Sequence, residues 1–592
     1  MTVWIVAGGG APEAPPQRRP EPNTLDRVSN TSDPVRLIAD RYVAELAAHE
    51  PDAAQAAGLP IAGPLADIGP DWLLRKYALQ GETLAELDAV PAEAGDPTLR
   101  AALAERLERE RLLFDTGFTP RLVAGLATPV HLIRYAIEGL TVTADAAGDE
   151  LVARLEAVPR GVGQYIDALR WARENADRFS GTGIAPVRQL DTLADQVELW
   201  VAADWFGSVP IDGEVDAATR RRVRDAGDRA NTALTELIAV LRDELRPAAP
   251  TVDAVGAEVY ADLAASMLGA RIDIADTYAY GWSELERLVG EARNLAKELG
   301  GTGEDPLRSA AALLDEDPRY RLDGVEAIRS WLEERVGETT DSLAPAFDLP
   351  AGIRHVDCVV AEASTGVVYY TPAPPDGSVP SRIVWTIPSG VPVAATWQEV
   401  TSVHHEGLPG HHLQFVVTAS YPDLHPWQRH LCHIHGYAEG WAHYAEQLAD
   451  ELGLIRDPAE RLGLLLGQIW RSVRIVADIG LHTGWAVPSN TLVSETAWTP
   501  ELAQRMLIDL ALVEPHLAGF EVDRYLGWPG QALAFKVGAR LWRDARAARA
   551  AEDGDAFSLR EFHRDALGLG PMGLEPLRAQ LLGRSSRGEP RG

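Results

Sequence analysis

The chain has 592 residues, 46% of them hydrophobic, enough for a large buried core. Its 87 acidic and 55 basic side chains leave a formal net charge of −32, so its surface repels nucleic acid and anionic membranes, and neither is an expected partner. Two cysteines, Cys358 and Cys432, are too few for a disulfide framework or a cysteine-type zinc site and fit a reducing compartment.

In chain order, residues 1–33 open on a short apolar run, Thr2 to Ala7, with no basic residue before it. That is neither a signal-peptide nor a membrane-span pattern, and the Pro/Arg/Gly-rich remainder predicts a disordered leader. With the cysteine count, it predicts a cytoplasmic protein. From Pro34 to residue 582 the pattern is helical and predicts one large domain. "VRLIADRYVAELAAHEP" places Leu37, Ile38, Tyr42, Val43 and Leu46 on one face. "LRAALAERLERERLLFDTGF", the stretch Ile166 to Phe179 and "ELERLVGEARNLAKEL" repeat the periodicity, and "VPAEAGDP", "LRPAAP" and "GGTGEDP" punctuate it. No fixed-period repeat occurs, which argues against a solenoid. Only His355 to Gly390, rich in Val, Tyr and Ile with Pro/Gly/Asp turns, predicts two or three short strands. Such a sheet either caps the helical body or offers an edge to an extended peptide.

The next segment, about 396–450, carries the densest chemistry. "HHEGLPGHH" (404–412) opens like the zinc-peptidase signature H-E-x-x-H, but Pro409 stands where the second histidine belongs. In a regular helix a step of six leaves His411 roughly 120° away from His405, and a step of seven carries His412 about 10 Å along the axis. Neither reaches a shared zinc, whose ligand nitrogens sit about 2 Å away. Pro409 clashes with the carbonyl four residues back, that of His405, and Gly410 tolerates unusual backbone angles. The helix is therefore expected to deform over 407–410 and swing His411 towards His405. A further helix, "HGYAEGWAHYAEQLADEL", offers Glu439 as third ligand, 33 residues after Glu406; the alternative is that Glu439 and Glu446 are ordinary solvated charges. Gly440 within that helix marks close packing.

The ordered motifs "HEGLPGHHLQ", "EGWAHYAEQL", "RIVADIGLH" and "YLGWPGQALAFKVG" resemble a widespread bacterial family long classed as a domain of unknown function and grouped with the zincin-type metallopeptidases. The resemblance covers nearly the whole chain after residue 35. It implies a mainly α fold, zincin-like, with the site in a deep channel between two helical lobes. Its H-E-x-x-P-G-H pattern implies His405 and His411 as metal ligands with Glu439, and Glu406 as general base, leaving His412 outside.

The later motifs suggest the remaining site residues. Arg474, Asp478 and His482 are spaced by four along one helix side. Arg474 is a candidate to hold a substrate carboxylate, although an internal Arg474–Asp478 ion pair is the first expectation. His482 and Tyr525 are candidates to stabilise an oxyanion, and Gln531 and Lys536 to grip substrate. Together these expectations describe a hydrolase of peptide or amide bonds, using one Zn2+ and acting on small peptides. The alternatives are a metal-dependent amidohydrolase acting on a non-peptide or modified amino-acid substrate and a helical binding protein with a vestigial site.

Overall fold

The computed structural model describes residues 32–585 except 139, 141–144, 212–214, 364–367, 375–378, 389 and 391. Almost all of the leader expected to be disordered lies outside the described residues. The protein is mainly helical with two small sheets.

The first helix, Pro34–Ala47, starts where the sequence places it. Asp33 Oδ1 accepts from the Val35 and Arg36 backbone N–H groups at 2.9 and 3.1 Å, and Pro34 occupies the first turn, where an N–H has no helical partner. Ile38, Tyr42, Val43 and Leu46 are buried as expected. Leu37 is not: it sits beside the buried 38–42–46 row and is 40% exposed. The other amphipathic stretches fall in helices Pro97–Asp115, Asp145–Glu174 and Ile274–Glu298, and the Pro/Gly clusters fall between helices or, for "LRPAAP", in the 3-10 turn Arg246–Ala248.

Two large apolar clusters organise the helices. One lies within residues 123–245, around helices Asp145–Glu174 and Ala217–Ala239; the larger joins both ends of the chain. Residues 123–245 are tied to the C-terminal part of the chain where Gln189 Nε2 donates to the Asp523 carbonyl (3.0 Å) and Trp528 Nε1 donates to the Leu126 carbonyl (2.9 Å).

Strand β1 (Arg321–Asp323) pairs antiparallel with β5 (Val393–Ala395). Strands β2 (Val356–Ala363), β3 (Val368–Thr371) and β4 (Ser381–Pro388) form a sheet in the order β2–β4–β3, with β4 parallel to β2 and antiparallel to β3. All three lie in the stretch predicted to hold strands. Strand β5 runs straight into the first site-forming helix, α1 (Thr396–Glu406). It is followed by α2 (His411–Ser420), α3 (His435–Glu451), α4 (Pro458–Thr483), α5 (Pro515–Gly527) and α6 (Ala534–Asp553).

Helices α3 and α6 cross through two glycines. A Cβ on Gly440 would lie 2.7 Å from Gly538 Cα, and one on Gly538 would lie 2.5 Å from the Gly436 carbonyl oxygen. The missing side chains let the backbones touch, and Trp441 then packs on Trp542 with ring centroids 5.1 Å apart. Gly440→Ala is expected to lower the thermal midpoint through an overpacking cost of about 1–3 kcal/mol. Gly290→Ala, where an added Cβ meets nothing, is expected to raise stability by about 0.5–1 kcal/mol. Calorimetry of the two variants beside the wild type checks both signs.

Candidate metal centre

Helix α1 ends at Glu406 and α2 begins at His411, so the helix is broken between the two histidines rather than merely bent. Glycine is required at 410, because a Cβ there would collide with the carbonyl oxygens of His404 and His405. The break is pinned from several sides. His404 Nδ1 donates to the Leu408 carbonyl at 2.9 Å, and Trp441 Nε1 on α3 donates to the carbonyls of Pro409 (3.0 Å) and Gly410 (3.2 Å). His412 Nε2 donates to the Ile353 carbonyl at 2.7 Å, and its Nδ1 lies 3.2 Å from the Tyr370 hydroxyl of β3. Those bonds account for His404 and His412 as buried groups anchored to the backbone, not as ligands.

The other two histidines face each other across the break. Their rings lie 4.9 Å apart between centroids, at 88°. Glu439 Oε2 lies 3.2 Å from His405 Nε2 and 3.6 Å from His411 Nε2, and the three donor atoms all fall within 4.8 Å of one another. Donors each about 2.0–2.2 Å from a tetrahedral zinc lie roughly 3.3–3.6 Å apart. The two Glu439 separations fit that edge, and two imidazoles with one carboxylate are a donor set suited to zinc. Glu406 Oε1 stands 3.9 Å from His405 Nε2, beside the cluster.

Three carboxylates dominate the electrostatics of the cluster. Burial alone would lower the pKa of His405, yet hydrogen bonds to Glu439 and Glu446, with the charge of Glu406, push it up to about 10. Burial would raise Glu439, but His405 and His411 hold its carboxyl well below the ordinary carboxylate range. Burial raises the pKa of Glu406, against the pull of the two histidines.

Behind the cluster, His405 Nδ1 donates to Glu446 Oε1 at 2.7 Å, which orients the ring with Nε2 towards Glu439 and His411. Glu446 also accepts from Thr401 Oγ1 (3.2 Å) and Gln468 Nε2 (3.3 Å). Gln468 Oε1 in turn accepts from Lys536 Nζ at 3.1 Å, and Lys536 pairs with Glu284 at 3.3 Å. Lys536, expected to grip substrate, is thus 1% exposed and tied into the support behind His405; burial lowers its pKa to about 8, against Glu284.

A second network surrounds Glu521 on α5. The expected Arg474–Asp478 pair does not form: Arg474 donates through Nε (3.0 Å) and an Nη (2.7 Å) to Glu521 Oε2, which also occupies the fork proposed for a substrate carboxylate. Asp478 instead accepts from the Tyr260 hydroxyl (2.7 Å) and the Gly530 N–H (3.0 Å), and burial raises its pKa to about 7. The Tyr525 hydroxyl donates to Glu521 Oε2 at 2.9 Å, and Arg524 Nε donates to Gln531 Oε1 at 2.8 Å. His482 Nε2 donates to the Tyr525 carbonyl at 3.0 Å and is fully buried. The structure therefore brings His405, Glu406, His411 and Glu439 together. It sets Tyr525, Arg474 and Gln531 around Glu521, with His482 beneath Tyr525. In the sequence Glu446 looks like an ordinary helix charge, although residues 439, 443 and 446 share one helix face, and no local pattern marks Arg471 or Phe535.

Residues 51–581 match a family described as a bacterial protein of unknown function, DUF885. The chain belongs to that family. No curated protein matches it. Among solved structures it is similar to a "putative lipoprotein" from Colwellia psychrerythraea, with TM-score 0.78 and 20% identity over 94% of this chain and 99% of the other. It is also similar to a "putative lipoprotein of unknown function" from Shewanella oneidensis, with TM-score 0.68 and 16% identity over 93% and 99%. These neighbours, each described as a putative lipoprotein, overturn the cytoplasmic expectation. That expectation rested on scarce cysteines and a short apolar leader. Cys358 and Cys432 are buried and free. Among the described residues no helix is long and apolar enough to cross a membrane.

Loss of a carboxylate that orients a ligating histidine typically weakens metal binding roughly 10–100-fold. Glu446→Gln is expected to lower zinc affinity by that factor, read by competition with a chromophoric chelator. Unchanged affinity would contradict the support assigned to Glu446.

Proposed function

We propose that the protein is a zinc-dependent hydrolase of peptide or amide bonds, acting on small peptides. The observation that carries this reading is the convergence of His405, His411 and Glu439 with Glu406 at their side. His405 Nε2, His411 Nε2 and a Glu439 oxygen would hold the ion. Zinc, when bound, supplies a Lewis acid that polarises a carbonyl and makes water a nucleophile at neutral pH.

The chain's own residues do the rest. Glu406 is the group placed to take a proton from the attacking water and to return it to the leaving amine, and burial keeps its pKa in the direction that suits both tasks. Glu446 holds the His405 ring by its Nδ1 proton, which leaves Nε2 as the nitrogen that would face the ion. Strand β3 is an edge of its sheet, and Tyr370 on it lies 6.5 Å from the His411 ring between centroids. An extended substrate running along that edge would gain backbone hydrogen bonds beside the cluster. Within the same reading the body is zincin-like, and the two separate apolar cores are the lobes flanking a substrate channel. The oxyanion roles first considered for Tyr525 and His482 are not part of the proposal, since both side chains already make hydrogen bonds elsewhere.

Protein purified without chelator is expected to carry one zinc per chain and to cleave a mixed short-peptide library. Chelation should abolish cleavage and added zinc restore it. Glu406→Gln should keep the zinc and lose turnover by about 10²–10⁴-fold. Full turnover in Glu406→Gln, or a wild type that binds no zinc, would sink the reading.

A further inference from the structure

Phe535, in the second residue of α6, stacks on His405 with ring centroids 6.0 Å apart and 16° between planes. Three guanidinium groups gather around the same phenyl ring: Arg474 at 4.4 Å, Arg471 at 5.8 Å and Arg524 at 5.9 Å from its centroid. Phe535 thus links the metal cluster to a group of cations. Arg474 and Arg524 share one carboxylate, Glu521, at 2.7 and 3.0 Å. Arg471 differs from both. It is half-buried against Trp470, its Nε is buried without a hydrogen-bond partner, and among the described residues it makes no ion pair. Glu521 is the carboxylate that pairs with Arg474 and Arg524, while Arg471 feels Glu446, Glu439, Glu406 and Glu399 only at longer range.

A guanidinium withdrawn from water without a carboxylate partner is costly, and its fork is shaped to bind one. Burial and the nearby Arg474 lower its pKa, against Glu446, Glu521 and Glu439. Its distance from the cluster sets the ligand's size. Separations of 5.8 and 6.0 Å through the Phe535 ring put Arg471 within about 12 Å of the His405 imidazole. An extended chain advances about 3.3–3.6 Å per residue, so that span holds one to three residues.

We propose that Arg471 is a specificity-determining residue that binds the free C-terminal carboxylate of the substrate, one to three residues beyond the bond that is cut. The substrate class is then short peptides or N-acyl amino acids with an unblocked C-terminus, and the enzyme releases small C-terminal fragments. The inference rests on the hydrolase reading for the cleavage, but the carboxylate site itself can be measured by binding alone. Arg474 is the neighbouring cation, with Glu521 holding its fork.

Two matched libraries of three- to five-residue peptides, one with free C-termini and one with C-terminal amides, test the proposal. The wild type should cut the acids at least tenfold faster in kcat/KM than the amides. Arg471→Gln should lose that preference through a higher KM while keeping its zinc and its thermal midpoint; Arg471→Lys should keep part of it. Equal cleavage of acids and amides, or an Arg471→Gln variant that retains the preference, overturns the carboxylate site and leaves the hydrolase reading standing. If neither library is cut, the hydrolase reading fails, and calorimetric binding of the two libraries to zinc-loaded Glu406→Gln decides the carboxylate site separately. Tighter binding of acids that vanishes on adding Arg471→Gln upholds it, and equal binding overturns it.

Discussion

Five residues separate His405 from His411, and an unbroken helix would turn their side chains roughly 120° apart. The centre depends on ending α1 at Glu406 and starting α2 at His411. Such a break leaves main-chain carbonyls without helical partners, and buried ones must be satisfied elsewhere. The sequence around the ligands is largely given over to that need. His404 takes the Leu408 carbonyl, and Trp441 takes those of Pro409 and Gly410. Because Trp441 belongs to the helix that carries Glu439, the clamp on the break and the third ligand are positioned by one element.

That coupling extends outward. Gly440, between Glu439 and Trp441, lets α3 press against α6 at Gly538, and α6 supplies both Phe535 over His405 and Lys536 behind it. The buried charges are arranged in two sets that meet at Phe535. On one side, Glu439, Glu406 and Glu446 surround two imidazoles; on the other, three arginines surround Glu521. The carboxylates at the histidines thus adjoin the arginines around Phe535, and Arg471 stands between the two sets, acted on by Glu446 and Glu439 as well as by Glu521.

Features set by local geometry were legible in the sequence. The 3.6-residue periodicity marked the helices from Pro34 onward, and the Val/Tyr/Ile run marked β2, β3 and β4. The mismatch between a six-residue step and a helical face, with Pro409 and Gly410 inside it, foretold the break. What was not legible depends on contacts between distant segments. Arg474 and Asp478 are one turn apart, yet Arg474 pairs with Glu521, 47 residues on, and Asp478 takes Tyr260, 218 residues back. Periodicity along one helix cannot reveal that choice, because a neighbouring helix presents a better-placed partner. The same holds for Lys536, which has the composition of a substrate anchor but lies behind His405. Arg471 is not legible in the sequence, because what distinguishes it is the lack of an ion-pair partner among the described residues, a property of the folded chain.

The most direct test of the account is anomalous diffraction at the zinc edge from crystals of protein purified without chelator. The account predicts one peak per chain, about 2.0–2.2 Å from His405 Nε2, His411 Nε2 and a Glu439 carboxylate oxygen. No peak at that position, or a metal held by a different set of side chains, would contradict it.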